Sequence, residues 1–243
     1  MPHRTELLEI IAQTAQSTVW RGRDLETGAL LAVKQHHGPP PPPALLALRH
    51  AHLVPILHHS HAASTSTLIM PWISASTLEQ HGRLDAAAFD QLVRQSLDAV
   101  DAIHSAGFLH LDLKPENIFI SDAGCQISDF GSAQPIHSAR ATLHGSIHYM
   151  APEHFSAGTL DQRTDIYALG GVYYFALTGH CAFQGELKPQ VITAHLQHRV
   201  TPLPGPLGTW IDRLMSRQPQ DRPSSASAAL AEYDAIASSS HAA

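Results

Sequence analysis

Two cysteines in 243 residues, Cys125 and Cys181, with no Cys-x-x-Cys pair, leave no material for a disulfide framework or a zinc ribbon, so both thiols are expected to be reduced and structural. No apolar run is long enough to span a bilayer, and the start, Met1-Pro2-His3-Arg4-Thr5-Glu6, has no apolar signal region. The expectation is a cytoplasmic protein with no membrane partner, a secreted effector without a cleavable signal staying open. Charge of either sign is sparse: Lys plus Arg number 15 against 21 Asp plus Glu, a net charge of −6. That balance gives no electrostatic case for nucleic acid. Histidine, by contrast, is abundant, at 19 residues. His50, His52, His58, His59 and His61 cluster without thiolates or a helical His-x-x-x-His pair, and read as polar surface rather than as a zinc site.

A hydrophobic fraction of 44% over this length suits one large domain or two closely packed lobes. Alternating apolar residues predict strands from Leu7 to Ala12, Thr18 to Arg23 and Leu30 to Gln35, with Thr27-Gly28 turning between the last two. Val54 to His59 and Thr67 to Met70 predict two more, completing a small antiparallel sheet. Beyond Trp72 the period becomes helical. Phe89, Leu92, Val93, Leu97, Val100 and Ile103 line one face of a helix ending near Ala106-Gly107. Ile166 to Leu177 predicts a second helix stopped by Gly179. Short segments at Val191 to Leu196 and Trp210 to Met215, then a helix from Ala226 to Ile236, finish the chain before a frayed tail at 238–243.

The chemistry-bearing residues fall in one ordered series. His110-Leu111-Asp112-Leu113-Lys114-Pro115-Glu116-Asn117 is followed by Asp129-Phe130-Gly131 and then by Ala151-Pro152-Glu153. Transfer of a phosphoryl group asks a site to hold phosphates, neutralise them with metal and orient a hydroxyl. Asp112 would accept the hydroxyl proton and Lys114 would steady the transferring phosphate. Asn117 and Asp129 carry the hard oxygens that Mg²⁺ takes.

The series resembles the eukaryotic-type (Hanks-type) serine/threonine protein kinase family, and the resemblance covers nearly the whole chain. It implies an α+β, two-lobe protein kinase fold over 1–243. The small antiparallel β N-lobe would span 1–72 and the mainly helical C-lobe 73–237. Mg²⁺ and ATP are the implied cofactors, with Mn²⁺ as a substitute, and a protein is the implied substrate. Asp112 and Lys114 match the catalytic pair, and Asn117 and Asp129 the metal ligands. Lys34, in Ala32-Val33-Lys34, matches the lysine on the α and β phosphates. Met70-Pro71-Trp72-Ile73 matches the hinge, where backbone near Pro71 and Ile73 would meet the adenine edge and Val19, Ala32, Met70 and Phe119 would line its site. Gly145-Ser146 and Tyr149-Met150-Ala151-Pro152-Glu153 resemble the segment that seats an acceptor peptide. Asp165 resembles the aspartate bracing the catalytic loop, and Arg222 the arginine paired with Glu153.

The pattern also breaks. Aligned on Val19, the family's glycine-rich loop reads Ile11-Ala12-Gln13-Thr14-Ala15-Gln16-Ser17-Thr18, so close backbone approach to phosphate is weakened, with the hydroxyls of Thr14, Ser17 and Thr18 as partial substitutes. Where the family has a helix bearing a glutamate for the strand lysine, this chain has Gly38 and five prolines, Pro39 to Pro43, and room for a short helix from Ala44 to Arg49. No Asp or Glu occurs between Lys34 and Glu79. Three sources of a partner for Lys34 follow: Asp129, an acid of the first strands such as Glu9, or another protein. Leu45, Leu46 and Leu48 are expected to flank this gap, covered either by an activating partner or second copy of the chain, or by closure of the lobes. Leu111 stands where relatives carry an Arg that reads a phosphate on the activation segment, so activity is expected to be independent of phosphorylation at Ser132, Ser138 or Thr142. The sequence thus points to an Mg-ATP-dependent serine/threonine kinase. A pseudokinase serving as a binding or scaffolding module is the alternative, and a small-molecule phosphotransferase is a more distant one.

Overall fold

The computed structural model describes residues 4–138, 146–155, 159–198 and 200–240. The alternating segments at the start form β1 (Thr5–Gln13), β2 (Ser17–Asp24) and β3 (Leu30–His37), followed by α1 (Pro43–Ala47), β4 (His58–Ala62) and β5 (Thr65–Pro71). They make one antiparallel sheet in the order β1-β2-β3-β5-β4. The β2–β3 turn is set by Asp24, whose Oδ1 accepts from the N–H of Glu26 and Thr27 at 2.7 and 3.0 Å, with Gly28 at φ 75°. Pro43 opens α1, where its missing N–H costs nothing and its fixed φ suits the first turn.

The fourth strand lies later than the alternation suggests. Val54 to Ile56 stay outside it because they are pulled toward the second half of the chain: the Val54 N–H donates to the Ile127 carbonyl at 2.8 Å, and Leu53, Val54 and Ile56 are buried. A second correction concerns the flank beside the prolines. Leu45 and Leu46 are 1% and 8% exposed and belong, with Leu48 packed against them, to the same core cluster as Leu97, Ile127 and Ile166. The halves close over these leucines, and the expected apolar surface is absent.

The second half contains β6 (Ser76–Thr77), α2 (Leu78–His81), α3 (Ala86–Ser105), β7 (Phe108–Leu109), β8 (Ile118–Ser121), β9 (Gly124–Ile127), β10 (Gln134–Pro135), α4 (Gln162–Thr178), α5 (Lys188–Gln197), α6 (Gly205–Leu214) and α7 (Ala226–Ser240). The architecture is α+β, a β-rich first part on a helical second part. Asp85 caps α3 by accepting from the Ala88 N–H, and the expected stripe from Phe89 to Ile103 is its buried face. Helix α4 is buried all round from Thr164 to Ala176 and ends at Gly179, φ 81°. A helix apolar on every side can sit only inside such a core. The last helix runs on to Ser240, past Ile236; the rest of the expected tail lies outside the described residues.

Candidate active site

The site grows from one buried carboxylate. Asp165, in the first turn of α4 and 0% exposed, accepts from the backbone N–H of His110 at 2.8 Å, of Leu111 at 2.9 Å and from His104 Nε2 at 2.9 Å. Burial pushes its carboxyl up, but His104, His110 and these donors outweigh that and hold it below the usual carboxylate range. The anchored loop then forces Leu111 to φ 63°, a left-handed conformation that a branched side chain resists. Leu111 is compensated by packing: it is 8% exposed against Leu109, Leu160 and Ile136. His110 braces the next residues by accepting from the Asp112 N–H at 3.3 Å and donating through Nε2 to the Ser128 carbonyl at 3.1 Å.

Asp112 emerges from this scaffold with both oxygens engaged. Oδ2 lies 3.0 Å from Lys114 Nζ and 3.0 Å from Asn117 Nδ2, and Oδ1 accepts from the Ser146 N–H at 3.2 Å. Asn117 Nδ2 also donates to the Asp112 carbonyl at 2.8 Å, which leaves its carbonyl oxygen as the end available to a cation. It is the backbone of Ser146 that meets Asp112. Of the segment that resembles a peptide seat, Tyr149, Met150, Ala151, Pro152 and Glu153 are buried, while Gly145 lies outside the described residues, as does Thr142.

Lys34 reaches the site from β3. Its Nζ lies 2.5 Å from Asp129 Oδ1, an oxygen that also accepts from the Gly131 N–H at 3.1 Å. Burial pushes the Asp129 carboxyl up; the Lys34 ammonium opposes it, and the net direction is down. Of the three sources of a partner for Lys34, Asp129 is the one observed, since Glu9 is taken by Arg21 at 2.6 Å. Cross-strand partners share a face of a sheet. Val19 stands opposite Lys34 and Ala32 opposite Met70, so all four line the same side as the ion pair. Pro71 ends β5 opposite Leu31, Ile73 follows half-buried, and Phe119 stands on β8, half-buried, opposite Thr77 and Gln126.

The loop between β1 and β2 closes on itself. Thr14 Oγ1 accepts from the N–H of Gln16 and Ser17 at 3.2 and 3.0 Å and lies 3.2 Å from Ser17 Oγ. The Thr14 and Ser17 hydroxyls, two of the three expected to stand in for glycine amides, are thus committed to the turn.

Below the site, Glu153 is clamped by Arg222 Nη1 and Nη2 at 2.7 and 2.9 Å and by Thr164 Oγ1 at 2.9 Å. Arg222 further donates to the Ser216 and Arg163 carbonyls and stacks over Tyr167, 4.7 Å from ring centroid to Cζ. His104 and His195 escaped the reading of the sequence. His195 is fully buried, accepts from the Tyr167 hydroxyl at 2.7 Å and lies 4.0 Å from the Phe183 ring. Each sits beside apolar neighbours on a buried helical face, His104 next to Ile103 and His195 within α5, and a histidine in such a stripe is the signal that marks them.

As a divalent-cation site the donor set fits: an amide oxygen of Asn117 and a carboxylate of Asp129 are hard oxygen ligands, and Mg²⁺ takes one or two such groups with phosphate and water completing its shell. Among the described residues no group of three or more His, Cys, Asp or Glu is placed to hold a metal ion by itself. No helix among them is long and apolar enough to cross a membrane.

Residues 43–233, well over half of the chain, match the protein kinase domain family. The chain is 32% identical, over 73% of its length, to serine/threonine-protein kinase PknK of Mycobacterium tuberculosis, of which it covers 18%. It is 29% identical over 93% of its length to PknL of the same organism, covering 64% of that protein. It is also 29% identical over 65% of its length to a probable serine/threonine-protein kinase PknB of Lactococcus lactis, covering 26%. The chain therefore spans less than two thirds of each of these relatives. On the match of its sequence and the order of its motifs, it belongs to the Hanks-type serine/threonine protein kinase family.

Proposed function

We propose that the chain is a protein kinase domain that transfers the γ-phosphate of Mg-ATP to serine or threonine hydroxyls of a protein substrate. One observation carries this reading: Asp112, Lys114, Asn117 and the Ser146 backbone meet within 3.2 Å on a loop fixed by a buried aspartate. Asp112 takes the proton of the acceptor hydroxyl as its oxygen bonds to phosphorus and the bond to the departing ADP breaks. Lys114 steadies the transferring group and Lys34 the α and β phosphates. Asn117 and Asp129 hold Mg²⁺ or Mn²⁺, which when bound neutralises phosphate charge. Val19, Ala32, Met70 and Phe119 line the adenine site, and the backbone at Pro71 and Ile73 meets its edge. The lobes divide near residue 72, and the domain works in the cytoplasm on protein rather than nucleic acid. The burial of Leu45 and Leu46 supports closure of the lobes over this flank rather than cover by an activating partner or a second copy.

The pseudokinase reading keeps one specific support, the commitment of Thr14 and Ser17 to their own turn. Incubation with labelled ATP and a generic acceptor decides between them. The parent chain is expected to incorporate label, and Asp112→Ala to lower the rate by about 10²–10⁴-fold, with Asp129→Ala also inactive. Equal incorporation by all three overturns the kinase reading.

A further inference from the structure

The segment that resembles a peptide seat rests on helix α5, which packs against its turn at Pro152–Phe155. The contact converges on His195, 0% exposed on the inner face of α5. Its Nδ1 accepts from the Tyr167 hydroxyl at 2.7 Å, a role that a neutral imidazole fills and an imidazolium does not. Its ring lies 6.2 Å from that of Phe155 and 4.0 Å from that of Phe183. His148, near the other end of the segment, donates through Nδ1 to the Phe183 carbonyl at 2.9 Å. The segment is thus held near both ends through groups that meet at one imidazole, and its first residue, Ser146, donates its N–H to Asp112 Oδ1 at 3.2 Å.

We infer that His195 is a positioning residue for the acceptor: through Phe183 and Phe155 it holds the segment 146–155 in place beside Asp112. The inference rests on the reading of that segment as the acceptor's seat. The surroundings suit a neutral ring. Burial lowers the His195 pKa from 6.5 to about 3, His148, His154 and His198 push the same way, and the Ile147 backbone opposes them. The carboxylates nearby are already paired, Asp212 of α6 with His198 at 2.8 Å and Glu153 with Arg222, which itself stacks over Tyr167. A proton on Nδ1 ends the bond from Tyr167 and sets a charge beside three other histidines, and release of the segment returns the ring to its ordinary value. Seating is therefore full above pH 6.5 and weakens as pH falls toward 3. Between about pH 7.5 and 5.5 the ratio of released to seated segment rises about tenfold for this one proton.

Hydrogen exchange of the full chain at those two pH values, corrected for the intrinsic rate, tests this on the parent, His195→Asn and His195→Ala. In the parent, amides of 146–155 and of α5 are expected to lose about tenfold in protection at the lower pH. His195→Asn keeps an oxygen for the Tyr167 hydroxyl and takes no charge, so it should match the parent at the higher pH and lose the pH response. With casein as acceptor at the higher pH, His195→Ala is expected to raise the KM for casein about tenfold, the size of one buried hydrogen bond lost, with the KM for ATP unchanged. His195→Asn should bring the KM for casein back. Protection of 146–155 that ignores pH in the parent, a pH response that survives in His195→Asn, or KM values for casein and ATP that rise together overturns the proposal. Because the parent exchange needs no variant, a misfolded substitution does not leave the question open. Because exchange reads no turnover, a segment that releases as expected in a chain that transfers no phosphate would fail the kinase assignment alone.

Discussion

Two ion pairs of nearly equal length mark the difference between the two halves of the molecule. In the sheet, Arg21 and Glu9 meet at 2.6 Å with side chains 40% and 51% exposed; in the helical half, Arg222 and Glu153 meet at 2.7 Å with 0% and 8% exposed. Distance is the same, and solvent is not. Water screens the first pair and leaves it little net value. Loss of water around the second makes the partners indispensable to each other. The same contrast runs through the surroundings. Strand β1 carries Leu7, Leu8, Ile10 and Ile11 at 40–54% exposure, whereas α4 buries every residue from Thr164 to Ala176. The loop that carries Asp112, Lys114 and Asn117 hangs on the buried half, and the β1–β2 hairpin on the more exposed one.

The largest expected effect falls where the comparison is least clean. Leu45 follows the proline run of the first half, yet lies in the main core. Leu45→Asp should cost more than about 5 kcal/mol, the sum of a large-to-small core loss of about 2–5 kcal/mol and an unpaired buried carboxylate. Urea denaturation would measure it, and a loss under about 1 kcal/mol would mean that the site is an exposed flank after all.

Next comes the buried pair. Arg222→Leu is expected to destabilise by about 3–5 kcal/mol because Glu153 stays behind without its main counter-charge. The double change Arg222→Leu with Glu153→Leu should recover part of that loss. A double variant no more stable than the single one would show that the pair is more than a mutual neutralisation.

Acid should also act on the helical half first. Burial lowers the His195 pKa from 6.5 to about 3, so an unfolded chain takes up a proton near pH 6.5 that the folded one refuses. Stability is therefore full above pH 6.5 and falls as pH drops toward 3, by up to about 1.4 kcal/mol per unit for one such group. Asp165, Glu153 and Asp129, all held below their ordinary values, add a second loss below about pH 4. His195→Phe should flatten the profile between pH 6.5 and 4.5 and leave the lower limb. Superimposable melting curves across that window would remove His195 from the account.

Most of this division was legible in the sequence, for unequal reasons. The three opening strands and the helices at Phe89, Ile166 and Ala226 announce themselves by period, because buried positions repeat, while Val191 and Trp210 mark only short segments whose helical form the structure supplies. Asp112, Lys114 and Asn117 announce themselves by spacing, since a short loop brings them together whatever surrounds it, and Asp129 follows across the β8–β9 hairpin. Contacts between distant segments leave no such trace. Val54 leaves its expected strand for a hydrogen bond to Ile127, and the leucines beside the prolines turn inward, because tertiary burial outweighs local alternation. The choice of Asp129 over Glu9 for Lys34 could be framed from the sequence, but was settled by Arg21, whose claim on Glu9 depends on the register of β1 against β2.

The smallest expected effect completes the comparison. Arg21→Ala should cost about 0.2–1 kcal/mol, and added salt should shrink the difference, because the pair it breaks is exposed and screened. Arg21 Cζ also lies 5.9 Å from the centroid of the Trp72 ring, a stacking contact worth about 0.5–1 kcal/mol at exposed sites. Arg21→Lys separates the two contributions, since it keeps the charge and loses the planar face. If Lys restores full stability, the ion pair with Glu9 is the contribution that matters. If it behaves as Ala does, the Trp72 contact is. A cost of about 3 kcal/mol or more for Arg21→Ala, comparable to that of Arg222→Leu, would show that exposure does not separate the two pairs and that the sheet is held as firmly as the helices beneath it.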